Sequence, residues 1–177
     1  GDFIWWSEQN GWGHLYLYDS NGKLKKQLTD GPFSVRRVIG IDESRGFVYF
    51  MANGKEEDED PYYQHFYRVS LDGTRLRQLD KKNYYHSVSM NEANSYFVDN
   101  FSRVNTEPVS ELYSAAGKKV LDLETADMSQ MIAAGFKYPE PFKVKSADGV
   151  TDIYGVMTKP FDFDSTKSYP VIAYVYP

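Results

Sequence analysis

Residues 65–80, HFYRVSLDGTRLRQLD, contain the pattern that decides the fold. An aromatic-rich segment predicts a β-strand, the glycine in the middle predicts a turn, and the basic segment that ends in Leu79 predicts a second strand. The same pattern occurs in HLYLYDSNGKLKKQLTDG at 14–31 and in ELYSAAGKKVLDLE at 111–124. The chain therefore contains one strand–turn–strand unit three times.

The three units are regularly spaced. Their tyrosines are Tyr16, Tyr67 and Tyr113, which lie 51 and 46 residues apart. Each turn contains a glycine: Gly22, Gly73 and Gly117. A period of ~40–50 residues is typical of the four-stranded blade of a β-propeller.

Two more predicted hairpins lie between the repeats. SVRRVIGID (34–42) is followed by FVYFMA (47–52), and YYHSVSM (84–90) by SYFVD (95–99). Both pairs are apolar or alternating runs that flank short polar segments, the pattern of antiparallel strands joined by a turn. These hairpins supply the two strands that each repeat lacks.

The strand count predicts an all-β fold, a partial β-propeller. Residues 34–80 and 84–124 would form two complete four-stranded blades, and 3–6, 14–19 and 24–29 would be three strands of another. Such a set of blades does not close a ring, so we expect an interior section of a longer chain that exposes apolar blade faces. A small antiparallel sandwich is the alternative, because it would use the same strands without needing the repeat.

A different pattern begins after Leu123. In TADMSQMIAAGF, the spacing of Met128, Met131 and Ile132 predicts a short helix with Thr125 as a candidate N-cap. FKVKS and IYGVMTKP predict two strands, and YPVIAYVYP at 169–177 has the composition of a strand that is buried on both faces. We therefore divide the chain into three parts: propeller blades at 1–124, a linker with a short helix at 125–138, and the first strands of an α/β domain at 139–177.

Composition excludes several classes of protein and of site. The 177 residues carry a net charge of −5, which disfavours nucleic acid as a partner. The aromatic fraction of 16% argues against disorder, and no stretch approaches the ~20 apolar residues of a membrane span. Because the chain has no cysteine, it has no disulfide, no thiolate metal site and no cysteine nucleophile.

The order of these motifs resembles one known family. SEQNGWGHLYLYD (7–19), GFVYFMA (46–52), HFYRVSLDG (65–73) and the segment from FKVKSADGVTDIYGVMTKP to YPVIAYVYP together resemble the dipeptidyl peptidase IV group of prolyl-oligopeptidase-type serine peptidases. The resemblance implies a parent in which an eight-bladed propeller caps an α/β-hydrolase domain and N-terminal dipeptides with Pro or Ala in second position are released from peptides. It also implies an extracytoplasmic parent, periplasmic or on the cell surface, and is compatible with a homodimer.

One candidate catalytic residue follows from the resemblance. Tyr176 occupies the place of the family's oxyanion-stabilising tyrosine, although the chain stops before the rest of that motif. A positioned hydroxyl that donates to the developing oxyanion contributes roughly 3–4 kcal/mol to an acyl-transfer barrier. The alternative is a tyrosine that only packs at a strand end.

The remaining catalytic groups are not predicted within this segment. Serine hydrolysis on this fold needs a G-x-S-x-G elbow followed by Asp and His, and no G-x-S-x-G occurs in the chain. His14 and His65 occupy equivalent repeat positions, which favours a structural hydrogen bond between strands for them, and we assign no catalytic role to His86. The segment alone should therefore be inactive, and we predict no cofactor and no metal.

Two other clusters have functional and structural interpretations. The acidic run KEEDEDP at 55–61 lacks the spacing of a calcium loop and is interpreted as a solvated hairpin loop. Trp5, Trp6 and Trp12 are suited to a peptide or sugar platform, but packing between blades is favoured.

Two alternative functions remain open on the sequence. A non-catalytic propeller that serves as a binding scaffold would not need the strand at 169–177. A prolyl endopeptidase of the same superfamily would differ from an exopeptidase by an upstream pair of glutamates, which these residues do not contain.

Overall fold

A computed structural model describes residues 1–80 and 82–175. The chain divides into two compact units, Gly1–Asp127 and Met128–Pro177. No helix among the described residues is long and apolar enough to cross a lipid bilayer.

The first unit consists of three antiparallel sheets in which consecutive strands are neighbours. The first sheet contains β1 (Phe3–Ser7), β2 (His14–Tyr18) and β3 (Leu24–Gln27). The second contains β4 (Ser34–Asp42), β5 (Phe47–Asn53), β6 (Gln64–Ser70) and β7 (Arg77–Gln78), and the third contains β8 (Tyr85–Met90), β9 (Tyr96–Ser102), β10 (Val109–Ser114) and β11 (Lys119–Thr125). The predicted three-stranded and four-stranded sets are confirmed.

Strand β5 shows how the sheets stack. Val48, Phe50 and Ala52 lie in one hydrophobic cluster and Tyr49 and Met51 in another, as expected for side chains that alternate between the faces of a strand. The first cluster also includes residues of the first sheet, and the second includes residues of the third sheet. The second sheet is therefore buried on both faces.

The two clusters form the cores between neighbouring sheets. The core between the first and second sheets contains Leu15, Leu28, Phe33, Val35, Val48, Phe50, Ala52, Tyr67 and Val69. The core between the second and third sheets contains Tyr49, Met51, Phe66, Leu79, Val88, Phe97 and Ala115. Within it, the rings of Phe66 and Phe97 meet edge to face at 4.7 Å.

The turn glycines bring each sheet close to the sheet before it. Gly73 and Gly117 have φ values of 75° and 77°, the left-handed region that favours glycine. A Cβ at Gly73 would lie 2.8 Å from the carbonyl oxygen of Gln27, and one at Gly117 would lie 2.9 Å from that of Leu79. Each turn therefore packs against the end of the preceding sheet.

These features are those of adjacent propeller blades. A sandwich has two sheets that share one core, whereas here three sheets stack in series with a core on each side of the middle one. The sandwich alternative is wrong for this reason, and the chain forms part of a β-propeller.

The second unit contains a short helix and a hairpin. Helix α1 (Ser129–Ala133) lies within the predicted linker, and β12 (Glu140–Lys145) pairs with β13 (Asp152–Met157). The prediction of Thr125 as N-cap is wrong, because Thr125 is the last residue of β11 and the helix begins after Met128 without a side-chain cap. The assignment of this unit to a hydrolase domain stays a prediction.

The predicted buried strand near the C-terminus is not formed in the described residues. Residues 171–175 have no strand assignment, and Ile172 is 94% exposed. A strand buried on both faces needs neighbouring strands for its backbone groups, and no strand in the described part of the chain pairs with this segment. The apolar composition of 171–175 does not by itself form the strand.

Candidate functional site

The buried polar groups of the first unit concentrate where the second sheet meets the third. His65 at the start of β6, Asp80 just after β7, His86 in β8 and Asp99 in β9 are all nearly inaccessible to solvent. The rings of His65 and His86 lie 5.1 Å apart. We call these four residues the histidine–aspartate cluster.

The repeat itself places His65. In the first sheet, His14 at the start of β2 pairs through Nδ1 with the hydroxyl of Thr29 at 3.0 Å, and the backbone N–H of Leu15 donates to the same oxygen. His65 and Asp80 repeat this arrangement fifteen residues apart, with Nδ1 and Oδ1 separated by 2.6 Å. The predicted structural hydrogen bonds of His14 and His65 are confirmed.

In the third sheet a glutamate takes the place of the histidine. Glu111 is buried, and its carboxylate accepts hydrogen bonds from Lys82 at 3.0 Å, Lys119 at 2.8 Å and the hydroxyl of Tyr113. Burial alone would raise the pKa of Glu111, but the bonds from Lys119, Tyr113 and Lys82 outweigh it and lower the pKa to about 2. This position therefore carries a negative charge in the folded chain.

His65 lies between two carboxylates. Its Nδ1 faces Asp80, and its Nε2 lies 2.8 Å from Oε2 of Glu59 in the acidic loop. Burial alone would lower the pKa of His65, but its bonds to Asp80 and Glu59 outweigh burial and raise the pKa. Both ring nitrogens can donate to these carboxylates only when the ring is protonated, and the amide nitrogen of Gln78 also lies 3.0 Å from Nδ1.

His86 has a similar environment. Its Nδ1 lies 2.8 Å from Oδ2 of Asp99, and its Nε2 lies 2.8 Å from the backbone carbonyl oxygen of Lys82. Burial alone would lower the pKa of His86, but the bond to Asp99 and the charges of Asp80 and Asp99 raise it. Burial also raises the pKa of Asp99. The hydrogen bond and the charge of His86 lower that pKa, but by less than burial raises it. The His86–Asp99 pair therefore retains a proton readily.

The cluster suits shared protons better than a metal ion. Ligand atoms of His65, Asp80 and His86 lie within 4.8 Å of one another. In a tetrahedral zinc site with bonds of roughly 2.0–2.1 Å, ligand atoms stand ~3.3 Å apart. Nδ1 of His65 and Oδ1 of Asp80 are only 2.6 Å apart, so a metal ion would have to separate them. It would thereby break a hydrogen bond in the closely packed interface between the second and third sheets.

A cavity of about 310 Å³ opens beside this cluster. His86 lies in its wall, together with polar side chains from β4, β6 and β8. Unlike the cluster, the cavity is open to solvent, because Arg36, Arg37, Tyr85 and Ser87 in its lining are exposed.

Comparison with known proteins identifies the family. Residues 1–108 match the family model described as "Dipeptidyl peptidase IV (DPP IV) N-terminal region". The chain belongs to the dipeptidyl peptidase IV family. The order of motifs in the sequence predicted this family, and the prediction is confirmed.

Relatives in the dipeptidyl peptidase IV family are much longer. The chain is 28% identical to dipeptidyl peptidase 4 of Arthroderma otae and 28% identical to that of Trichophyton rubrum, in each case over 94% of this chain and 21% of the relative. The crystal structure of Porphyromonas gingivalis dipeptidyl peptidase 4 matches with a TM-score of 0.77 and 24% identity over 96% of this chain and 24% of that one. A putative dipeptidyl aminopeptidase IV from Bacteroides ovatus matches with a TM-score of 0.75 and 25% identity, covering 96% and 26%. The chain thus spans a fifth to a quarter of the length of these proteins.

The predicted site residue of this dipeptidyl peptidase IV family chain is Tyr176, which lies outside the described residues. Among the described residues, a histidine nitrogen is hydrogen-bonded to a hydroxyl group at one place, between His14 and Thr29. Both residues are buried. That hydroxyl therefore has no access to a substrate.

The acidic loop and the tryptophans differ in part from the predictions. The loop at 55–61 is not simply solvated, because Glu56 accepts from the hydroxyl of Tyr67 at 2.8 Å and Glu59 contacts His65. The indole of Trp6 donates to the carbonyl oxygen of Val35 in the second sheet at 2.8 Å, as inter-blade packing predicts. The exposed fractions are 58% for Trp5, 46% for Trp6 and 44% for Trp12, so it is the hydrogen bond to Val35, and not burial, that supports the packing role of Trp6.

The sequence does not predict the histidine–aspartate cluster. Asp80 and Asp99 lie nineteen residues apart and His86 is outside the repeat pattern, so the cluster forms only when the second and third sheets stack. One sequence feature does point to the His65–Asp80 pair. His14 and His65 occupy equivalent positions of the repeat, and Asp80 stands where the first repeat has Thr29.

Proposed function

We propose that the chain contributes propeller blades and the start of the catalytic domain to a longer serine peptidase that releases N-terminal dipeptides from peptides. The observation that carries this proposal is the match of residues 1–108 to the N-terminal region of the dipeptidyl peptidase IV family, together with two four-stranded blades. In this proposal the blades restrict access to the active site, so that unfolded peptides enter and folded proteins do not.

The catalytic chemistry would use residues outside this segment. A serine, an aspartate and a histidine would form the acyl-enzyme and hydrolyse it, and these 177 residues contain no G-x-S-x-G for the nucleophile. The hydroxyl of Tyr176 would donate to the oxyanion of the tetrahedral intermediate. The described part of the chain would then hold the blades that shape the entrance, and residues 1–177 alone would be inactive.

Peptide degradation by the longer polypeptide tests the proposal. The substrate would be a decapeptide with Pro at the second position, and its N-acetylated form is the matched control. Mass spectrometry should detect the N-terminal dipeptide from the free peptide and no product from the blocked one, because an exopeptidase of this kind must bind the free amine. Internal cleavage of the blocked peptide would instead indicate an endopeptidase, and no cleavage of either would indicate a non-catalytic scaffold.

A further inference from the structure

The cavity of about 310 Å³ lies between strands β4 and β8, which are edge strands of the second and third sheets. Its polar lining consists of Arg36 and Arg37 from β4, Gln64 from β6, and Tyr85, His86 and Ser87 from β8. The thioether of Met51 in β5 completes the lining. Its volume is at the low end of the range for small-molecule sites, which suits one or two amino-acid residues.

The ladder of strand β4 is irregular at the two arginines of the cavity lining. Val35 pairs with Ala52 and Arg37 pairs with Met51, so Arg36 is an extra residue in the ladder. In a regular strand, consecutive side chains point to opposite faces, and a bulge breaks this alternation. Bulges are common next to functional sites because they redirect a side chain in this way.

The cavity presents hydrogen-bond donors and positive charge. Within the described residues, neither Arg36 nor Arg37 has an ion pair, and the lining contains no carboxylate. The amide of Gln64 donates to the hydroxyl oxygen of Tyr85 at 2.5 Å, which leaves the phenolic proton available to another acceptor. Two guanidinium groups, a phenol and the hydroxyl of Ser87 therefore line one cavity, and no carboxylate is among the described side chains of its lining.

This combination of donors selects an oxyanion. The guanidinium group is planar and donates in pairs to carboxylate or phosphate oxygens. We infer that the cavity binds a side-chain carboxylate of a peptide and so forms a subsite that favours acidic peptides. The inference that the ligand is a peptide rests on the proposed function, whereas the inference that the bound group is an anion rests on the side chains of the cavity.

Charged residues and bulges on an edge strand also have a structural use. They discourage pairing with another chain, and Arg36 and Arg37 would serve that purpose on β4. Edge protection does not require the donors of Tyr85 and Ser87 on the neighbouring strand, and it predicts no binding of a small acidic peptide.

A binding measurement separates these alternatives without relying on cleavage. N-acetyl-Ala-Glu-amide and N-acetyl-Ala-Gln-amide differ by one carboxylate, and both have a blocked amine. Titration calorimetry on the 177-residue chain should detect the acidic peptide, with an affinity that falls as salt is added, and should not detect the neutral one. R36Q and R37Q should each weaken binding by about tenfold or more, because each removes a charge-assisted bond.

Matched variants keep the test interpretable. Arg77 is an exposed arginine of β7 outside the cavity, so R77Q should bind like the unchanged chain. If R36Q or R37Q fails to fold, Y85F supplies the test, since it keeps the ring and removes the donor, and it should weaken binding several-fold.

Three results would overturn the inference: equal binding of the two peptides, unchanged binding by folded R36Q and R37Q, or binding of inorganic phosphate as tight as that of the acidic peptide. The last would assign the cavity to small oxyanions and not to peptides. A failure of the proposed peptidase function would appear separately, as the absence of dipeptide release from unblocked peptides.

Discussion

At the scale of single residues, the main feature is the histidine–aspartate cluster, whose titratable side chains are buried between the second and third sheets. His65 contacts Asp80 and Glu59, and His86 contacts Asp99 and a backbone carbonyl group. Buried charges are tolerated when they are paired and hydrogen-bonded, and removal of one partner leaves an uncompensated charge. The cluster therefore makes the junction of the second and third sheets dependent on its protonation.

This dependence predicts a loss of stability at alkaline pH. The folded-state pKa values of His65, His86 and Asp99 are all raised, so the folded chain binds more protons than the unfolded chain. The contribution of the histidines is fully present below their unfolded pKa of about 6.5 and is lost as pH rises through the raised values. The free energy of unfolding, measured with urea, should therefore be lower at pH 9 than at pH 6.

His65→Gln tests the source of that slope. The amide still donates a hydrogen bond but does not titrate, so the variant should be less stable at pH 6 and should show a smaller decrease between pH 6 and pH 9. An unchanged slope would show that His65 is not one of the groups responsible.

Tyr176→Phe tests the proposed catalytic residue in the longer polypeptide. Loss of one oxyanion donor should lower kcat by about 10²–10³ with little change in the thermal unfolding temperature. Tyr174→Phe, two residues earlier, is the control and should keep normal turnover. A kcat near that of the unchanged enzyme would remove Tyr176 from the site.

At the scale of secondary-structure elements, the turns of the repeat join neighbouring sheets. Gly22 and Gly117 have nearly the same backbone conformation, with φ of 78° and 77°. A Cβ at Gly22 would meet nothing within 4 Å, whereas one at Gly117 would lie 2.9 Å from the carbonyl oxygen of Leu79. The two positions therefore separate the cost of the conformation from the cost of contact between sheets.

Alanine substitutions at these glycines should differ in their effect on stability. Gly22→Ala should cost about 1–2 kcal/mol for the left-handed conformation. Gly117→Ala should cost about 1–3 kcal/mol more, because the methyl group also collides with the preceding sheet. Equal costs in urea unfolding would mean that the turn does not pack against Leu79 as described.

The elements also show what the sequence can predict and what it cannot. The strands of 1–124 were predictable because their alternation and spacing recur, and the left-handed turns require glycine at Gly22, Gly73 and Gly117. The segment 171–175 has the composition of a buried strand but forms none in the described residues, because a strand also needs partners for its backbone groups. The cluster of His65 and His86 was missed because it depends on contact between sheets that local patterns do not specify.

At the scale of the whole molecule, the second sheet, which is buried on both faces, decides between a propeller and a sandwich. Its residues contribute to a core on each side, which fits a series of blades and not a two-sheet sandwich. The family match covers residues 1–108, which include both hairpins of the second blade and the first hairpin of the third. In the proposed function, these blades provide shape and access, and residues elsewhere in a longer polypeptide cleave the bond.

Labelling with a fluorophosphonate probe tests that assignment most directly. The probe reacts with an activated serine, and peptide mapping by mass spectrometry would locate the label in the longer polypeptide. We predict a single labelled serine outside residues 1–177, with loss of dipeptide release in proportion to labelling. A labelled serine within residues 1–177, or full dipeptide release by a protein that takes up no label, would contradict the proposed function.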